Sequence, residues 1–106
     1  MEVGTNMLKK RFFKTIDECD VTFRLQSQQA DSVALVIESN GWNPIPMEQL
    51  KSGPFKTTLR LPVDSRVQFR YLVDGETWQN DDAADAYEPN QFGDANSVVN
   101  TFRNGS

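Results

Sequence analysis

The sequence contains no histidine, and its 106 residues include one cysteine, Cys19. The lack of histidine removes the commonest general base and the commonest metal ligand. A lone cysteine excludes an intrachain disulfide and any Cys-x-x-Cys metal or redox motif. No base accompanies Cys19 in the sequence, so it is expected to be a small, semi-buried residue near a turn rather than a nucleophile. Long apolar runs are also missing. The longest, Val33–Ile37, is far too short to cross a bilayer. Lys9-Lys10-Arg11 leads into mixed sequence rather than an apolar stretch, which is not the pattern of a secretory signal. Positive charge is scarce: 11 Lys and Arg stand against 15 Asp and Glu, for a net charge of −4. Affinity for a phosphate backbone rests largely on clustered cations, so a nucleic-acid partner is not expected. The one basic cluster, Lys9-Lys10-Arg11 with Lys14, is interrupted by Phe12 and Phe13 and reads as the solvated side of a first strand. These absences predict a cytoplasmic protein with no cofactor, no metal, no membrane and no nucleic acid.

A helical period is missing as well. What the sequence does carry is alternation. Val21, Phe23 and Leu25 alternate with Thr22 and Arg24; Phe55, Thr57, Leu59 and Leu61 alternate with Lys56, Thr58 and Arg60. Residues 66–73 are the strongest case, with Val67, Phe69, Tyr71 and Val73 on one face and Gln68, Arg70 and Leu72 on the other. Val33–Ile37 is apolar on both faces, as in a central strand. Further strands are expected over 8–15, 47–50, 77–79 and 97–102, with 81–95 irregular. A chain of this length forms one domain and buries roughly 65% of its unfolded surface, enough for a modest core without staples. The pattern predicts an all-β sandwich of seven to eight short antiparallel strands over residues 8–102, with loose tails at 1–7 and 103–106.

The segment from 66 to 80 bears most on function. An Asp74-Gly75 turn follows the best strand, and Trp78 follows the turn. A two-residue turn would pair Val73 with Glu76 and send Trp78 into the core with Tyr71. A three-residue loop, 73–75, would pair Leu72 with Glu76 and set Trp78 on the polar face against Arg70. Spacing alone leaves both open. Trp42 lies in Asn40-Gly41-Trp42-Asn43-Pro44, which is turn chemistry, so it is expected to be exposed. An exposed tryptophan offers a flat apolar face that matches the C–H face of a pyranose, while Arg and Asn side chains pair with hydroxyls.

These residues carry a resemblance. Arg70-Tyr71-Leu72-Val73-Asp74-Gly75-Glu76-Thr77-Trp78, then Phe92-Gly93-Asp94-Ala95-Asn96-Ser97-Val98, and residues 34–42, resemble carbohydrate-binding module family 48. This is the isoamylase N-terminal or early set domain, also found as the glycogen-binding domain of the AMP-activated protein kinase β-subunit. The similarity runs over about 8–102. It implies an immunoglobulin-like sandwich that binds α-1,4-glucans such as glycogen or starch without catalysis. By the family's pattern, Trp42 and Trp78 would stack on glucose rings, Arg70 and Asn96 would bond hydroxyls, and Phe92 and Asp94 would lie near the sugar. It also favours the arrangement with Trp78 beside Arg70. The chain departs from the family where a Gly-x-Phe-Asn-x-Trp pattern is usual: Ile37 and Ser39 hold the glycine and aromatic positions, and Gly41 precedes Trp42. One extra residue separates Gly75 from Trp78 compared with the kinase form. The alternative is a protein-interaction or regulatory domain that keeps the fold and associates with an amylolytic enzyme or kinase-like partner without binding sugar.

The acidic residues Asp81, Asp82, Asp85, Glu88 and Asp94 are read as solvated loop charges. A calcium loop lacks the Asp-x-Asp-x-Asp-Gly spacing. A paired-carboxylate glycosidase is less expected still, because amylolytic chemistry takes place in a separate barrel of about 250 residues.

Overall fold

The structure is a computed structural model that describes residues 7–27 and 29–103. The expected tails fall largely outside these residues. Of the two, Met7 opens the first strand and Arg103 pairs with Asp17 at 3.1 Å and Asp64 at 3.6 Å.

Among the described residues, alternation in the sequence becomes ten strands: β1 (Met7–Phe12), β2 (Glu18–Leu25), β3 (Val33–Ile37), β4 (Ile45–Pro46), β5 (Glu48–Gln49), β6 (Phe55–Pro62), β7 (Arg66–Val73), β8 (Thr77–Gln79), β9 (Ala86–Pro89) and β10 (Ala95–Asn100). The count exceeds seven or eight because the two-residue β4 precedes the strand expected at 47–50, seen as β5, and because β9 forms inside the stretch read as irregular. One sheet runs β1-β2-β6-β5 and the other β4-β3-β7-β10-β9, with β8 attached to β7. Every strand pairing is antiparallel. The two sheets form a sandwich.

The inward faces are those the periodicity marks. Cys19, Val21, Phe23 and Leu25 of β2 face Leu35 and Ile37 of β3, Val67, Phe69 and Tyr71 of β7, and Val99 of β10 in one core. Phe23 of the first sheet meets Phe69 of the second edge to face at 5.0 Å, and Phe69 meets Tyr71 at 5.6 Å. Such pairs add about 0.5–1.5 kcal/mol beyond the area they bury. Cys19 lies just past the bend at 14–17, at the start of β2, but it is fully buried rather than semi-buried, and burial pushes its thiol pKa up.

Asp81 corrects another expectation. It is wholly buried rather than solvated. Its carboxylate accepts a hydrogen bond from the Tyr71 hydroxyl at 2.7 Å and from the Ala83 N–H at 2.8 Å. Its own N–H donates to Ser97 Oγ at 2.8 Å, and its carbonyl accepts from the Tyr87 hydroxyl at 2.6 Å. The group is tolerated because both carboxylate oxygens are satisfied. Burial nevertheless raises the Asp81 pKa, with the bonds from Tyr71 and Ala83 acting against it. The Tyr71 hydroxyl is pushed well above its ordinary range by burial and by Asp81, so it stays protonated and donates.

Tyr71→Phe is expected to cost about 1–3 kcal/mol at pH 7, because a buried acceptor loses its donor. A raised folded-state pKa means that the contribution of Asp81 is fully present below the ordinary carboxylate pKa and is lost as pH rises through the raised value. Removing the Tyr71 donor raises that value further. The deficit of Tyr71→Phe should therefore be larger at pH 7 than at pH 4.5 in urea unfolding. An equal or larger deficit at pH 4.5 refutes the assignment.

Candidate functional site

The outward face of the second sheet holds the candidate site. Val36 of β3 lies opposite Arg70 of β7, and Leu72 of β7 lies opposite Trp78 of β8. Arg70, Leu72 and Trp78 thus share a face. Asn96 of β10, one position before the Ser97–Phe69 pair, projects to the same side. All six residues singled out from the sequence, Trp42, Arg70, Trp78, Phe92, Asp94 and Asn96, line one cleft of about 700 Å³, together with Val36, Asn90 and Gln91. That volume is in the range of small-ligand sites.

The hairpin takes neither of the two registers read from spacing. Val73 pairs with Thr77 and Leu72 with Trp78, around a loop of Asp74, Gly75 and Glu76. Asp74 and Gly75 have φ of 53° and 72°, and the Glu76 N–H donates to the Val73 carbonyl at 3.1 Å. Positive φ at both central positions is the signature of a type I′ turn. This pairing shifts by two residues from the three-residue alternative, so Trp78 keeps its face even though its partner differs. Asp74 is fixed by more than its turn. Its carboxylate accepts from the N–H groups of Asp31 at 2.7 Å and Ser32 at 2.9 Å. The extra residue after Gly75 is accommodated as Glu76 in the turn.

Trp78 is 49% exposed, and the Arg70 guanidinium lies 5.6 Å from its ring centroid. Arg70 is itself held by Asp94, Nη2 to Oδ2 at 2.9 Å, with a side chain only 16% exposed. Its buried Nε–H has no partner among the described residues.

Trp42 is placed by a one-turn 3₁₀ helix, Glu38–Asn40, that follows β3. The Gly41 N–H donates to the Glu38 carbonyl at 3.0 Å and the Trp42 N–H donates to the Ile37 carbonyl at 3.0 Å. This nested pair is a Schellman ending, with Gly41 left-handed at φ 66°. Asn40 and Asn43 brace it by donating reciprocally to each other's carbonyls at 3.2 Å. Trp42 itself takes φ 64°. A bulky side chain in the left-handed region is an outlier that the surrounding bonds must enforce. Ile37, where the family usually has glycine, is fully buried in the core. Ser39 sits exposed in the 3₁₀ turn.

Asn90 was not singled out from the sequence, and it organises half of the site. Its side-chain oxygen accepts from the N–H groups of Phe92 at 2.9 Å and Asp94 at 3.1 Å. Its amide nitrogen donates to Asn96 Oδ1 at 3.2 Å, and its backbone N–H donates to the Asp94 carbonyl at 2.9 Å. Asn96 in turn donates to Gln68 Oε1 at 2.9 Å. Phe92 stands at the tip of this loop, 82% exposed. The available signal was an asparagine two residues before an aromatic and three before a glycine, the pattern of an Asx turn. Among the described residues, no group of three or more Cys, Asp or Glu side chains is placed to hold a metal ion.

The chain was compared with known proteins. Among solved structures, the enterobactin esterase FES from Shigella flexneri, determined in the presence of 2,3-di-hydroxy-N-benzoyl-serine, is similar over 89% of this chain with a TM-score of 0.69 and 12% identity. At that identity the likeness concerns the fold, and the chain spans 32% of the esterase's length. A comparison with curated proteins finds no match. The sequence profile of carbohydrate-binding module 48 (isoamylase N-terminal domain) matches residues 9–88, most of the described chain. The chain therefore belongs to carbohydrate-binding module family 48, the isoamylase N-terminal domain family, whose members are non-catalytic binding modules.

Proposed function

We propose that the cleft on the outer face of the second sheet binds an α-1,4-glucan of the glycogen or starch type. The observation that carries this reading is that Trp42 and Trp78, 42% and 49% exposed, line the same cleft as Arg70. Tryptophan faces take up the apolar faces of successive glucose rings. Arg70 supplies planar donors, of which one N–H is committed to Asp94. Asn96 sits beside it, and Phe92 extends the apolar surface at the cleft's end. If each stack contributes about 1 kcal/mol beyond area burial and each net hydrogen bond about 1, the site totals about 4–6 kcal/mol. That corresponds to a Kd of roughly a millimolar to tens of micromolar, as suits a module that gains avidity from a repeating polymer. A cytoplasmic polymer is the proposed setting, one that a single reduced thiol fits.

The sugar-free alternative takes its support from Ile37 and Ser39. The structure weakens that support, because the altered loop still delivers Trp42 to the cleft.

Maltoheptaose titration, read by intrinsic tryptophan fluorescence, tests the proposal. The wild type should respond saturably, and Trp78→Ala should bind about tenfold or more weakly while unfolding at a similar temperature. No saturable response in the wild type overturns the glucan reading. A wild-type response unchanged in Trp78→Ala overturns the cleft.

Asn90→Ala should weaken maltoheptaose binding by about threefold to tenfold, although Asn90 need not touch sugar, because the loop carrying Phe92 and Asp94 loses its brace. Asn90→Asp keeps an oxygen for the Phe92 and Asp94 N–H groups and should recover part of the affinity. Equal affinity in all three proteins, measured by isothermal calorimetry, removes Asn90 from the site.

A further inference from the structure

The opposite face of the sandwich carries a second groove, of different chemistry. The outward side of β1, β2 and β6 carries a shallow groove of about 530 Å³. Lys9 and Arg11 of β1, Arg24 of β2 and Lys56 of β6 line it, with Asp20 as the one acid. Four of the chain's 11 cations therefore gather on one face of a protein whose net charge is −4.

These cations are not spent on the fold. Among the described residues, Lys9, Arg11, Arg24 and Lys56 form no ion pair; Asp20 is taken by Arg60 at 3.0 Å, which also lies 3.9 Å from Glu18. Arg11 makes only a cation–π contact, 5.4 Å from the Phe13 ring. Lys10, between Lys9 and Arg11, points to the other side and pairs with Asp85 at 2.7 Å. The strand pleat thus divides Lys9-Lys10-Arg11 into one structural lysine and two cations without an ion pair among the described residues. Arg24 and Lys56 are direct cross-strand partners. Lys56 also lies opposite Glu48 on its other side, without an ion pair among the described residues, so Arg24 is the member of the trio left with only a like-charged partner, which an arriving anion would relieve.

We propose that this face is a docking surface for an acidic segment of a partner protein. Charge complementarity sets the sign of the partner. The groove also contains Leu50 and the hydroxyls of Thr22 and Thr58, which bond each other at 3.0 Å. An apolar residue with neutral polar groups between cations suits a peptide that mixes carboxylates with an aliphatic side chain. No aromatic lines the groove, so it offers no platform for a nucleobase. A second copy of this chain is a poorer occupant, because its densest acidic stretch, 81–94, is largely engaged: Asp85 with Lys10, Glu88 with Arg66 and Asp94 with Arg70, while Asp81 is buried, which leaves Asp82 alone there. The groove and the tryptophan cleft lie on opposite sheets, so both can be filled at once. The inference stands independently of the glucan reading.

The test is fluorescence anisotropy with fluorescein-labelled Glu-Glu-Leu-Glu-Asp-Leu-Glu. The folded wild type should bind it in 50 mM salt, and binding should weaken about tenfold or more in 300 mM salt. Arg24→Gln/Lys56→Gln should bind about tenfold or more weakly while remaining cooperatively folded. Lys9→Gln/Arg11→Gln, on a different strand, should repeat the loss. No binding by the wild type in 50 mM salt, or full binding by both variants, overturns the proposal. So does tighter binding of a dT12 oligonucleotide than of the peptide, which moves the face to nucleic acid. Displacement of the peptide by saturating maltoheptaose overturns the separation of the two faces, and unchanged anisotropy supports it.

Discussion

Strand β7 is hydrogen-bonded along both edges, and each of its faces has a different task. Its residues Phe69–Val73 pair with β3 on one side; on the other, β10 takes Arg66 to Phe69 and β8 takes Tyr71 to Val73. With both edges occupied the strand cannot slide, and with a strict alternation it cannot rotate without inverting its burial. Val67, Phe69 and Tyr71 are thereby committed to the core, and Gln68, Arg70 and Leu72 to the outer face. Val36, Trp78 and Asn96 reach the cleft because the strands that bear them pair with β7 or lie beside it in register. The site inherits its precision from the same constraint that orders the core.

This is why parity mattered more than register. The hairpin chose a pairing outside the two that spacing suggested, yet Trp78 emerged on the face of Arg70, because a shift of two residues preserves sidedness and a shift of one does not. Strands with unbroken alternation were legible for the same reason; the exposure of Trp42 was legible from the turn residues around it, and the set of six residues that line one cleft came from the family pattern rather than from periodicity. What could not be read depends on contacts remote in sequence. Asp81 looked like one carboxylate among several in an acidic loop. Its burial requires a hydroxyl ten residues earlier, a serine sixteen residues later and a folded turn to supply the Ala83 N–H. Asn90 was silent because its partners line up only once the loop has closed.

The Asp81 network joins core and cleft. Tyr71 is the inward neighbour of Arg70, and Ser97 is the inward neighbour of Asn96. Asn80 accepts hydrogen bonds from both the N–H and the hydroxyl of Ser97, and it donates to the Ala95 carbonyl at 2.8 Å. The segment leaving Trp78 is thus tied to the strand that bears Asn96. A short edge strand of three residues would otherwise have little to hold it. The buried carboxylate is costly by itself, but it anchors a stretch that carries no large apolar group into the core.

Both tryptophans are partly exposed, and an exposed indole on a loose loop would lose much of any binding energy to ordering. The chain meets this cost during folding instead. Trp42 is held in a left-handed conformation by two nested backbone bonds and two asparagine braces; Trp78 is held by β7 pairing and by the Arg70 guanidinium. Strain of about 1–3 kcal/mol at Trp42 is therefore charged to the stability of the domain, not to the ligand. The same logic fits the Arg70–Asp94 pair, which fixes a long, rotamer-rich side chain before anything enters the cleft. Little is left to order in the cleft, and the bonds that aim the Trp42 ring are in place despite the departures at Ile37 and Ser39.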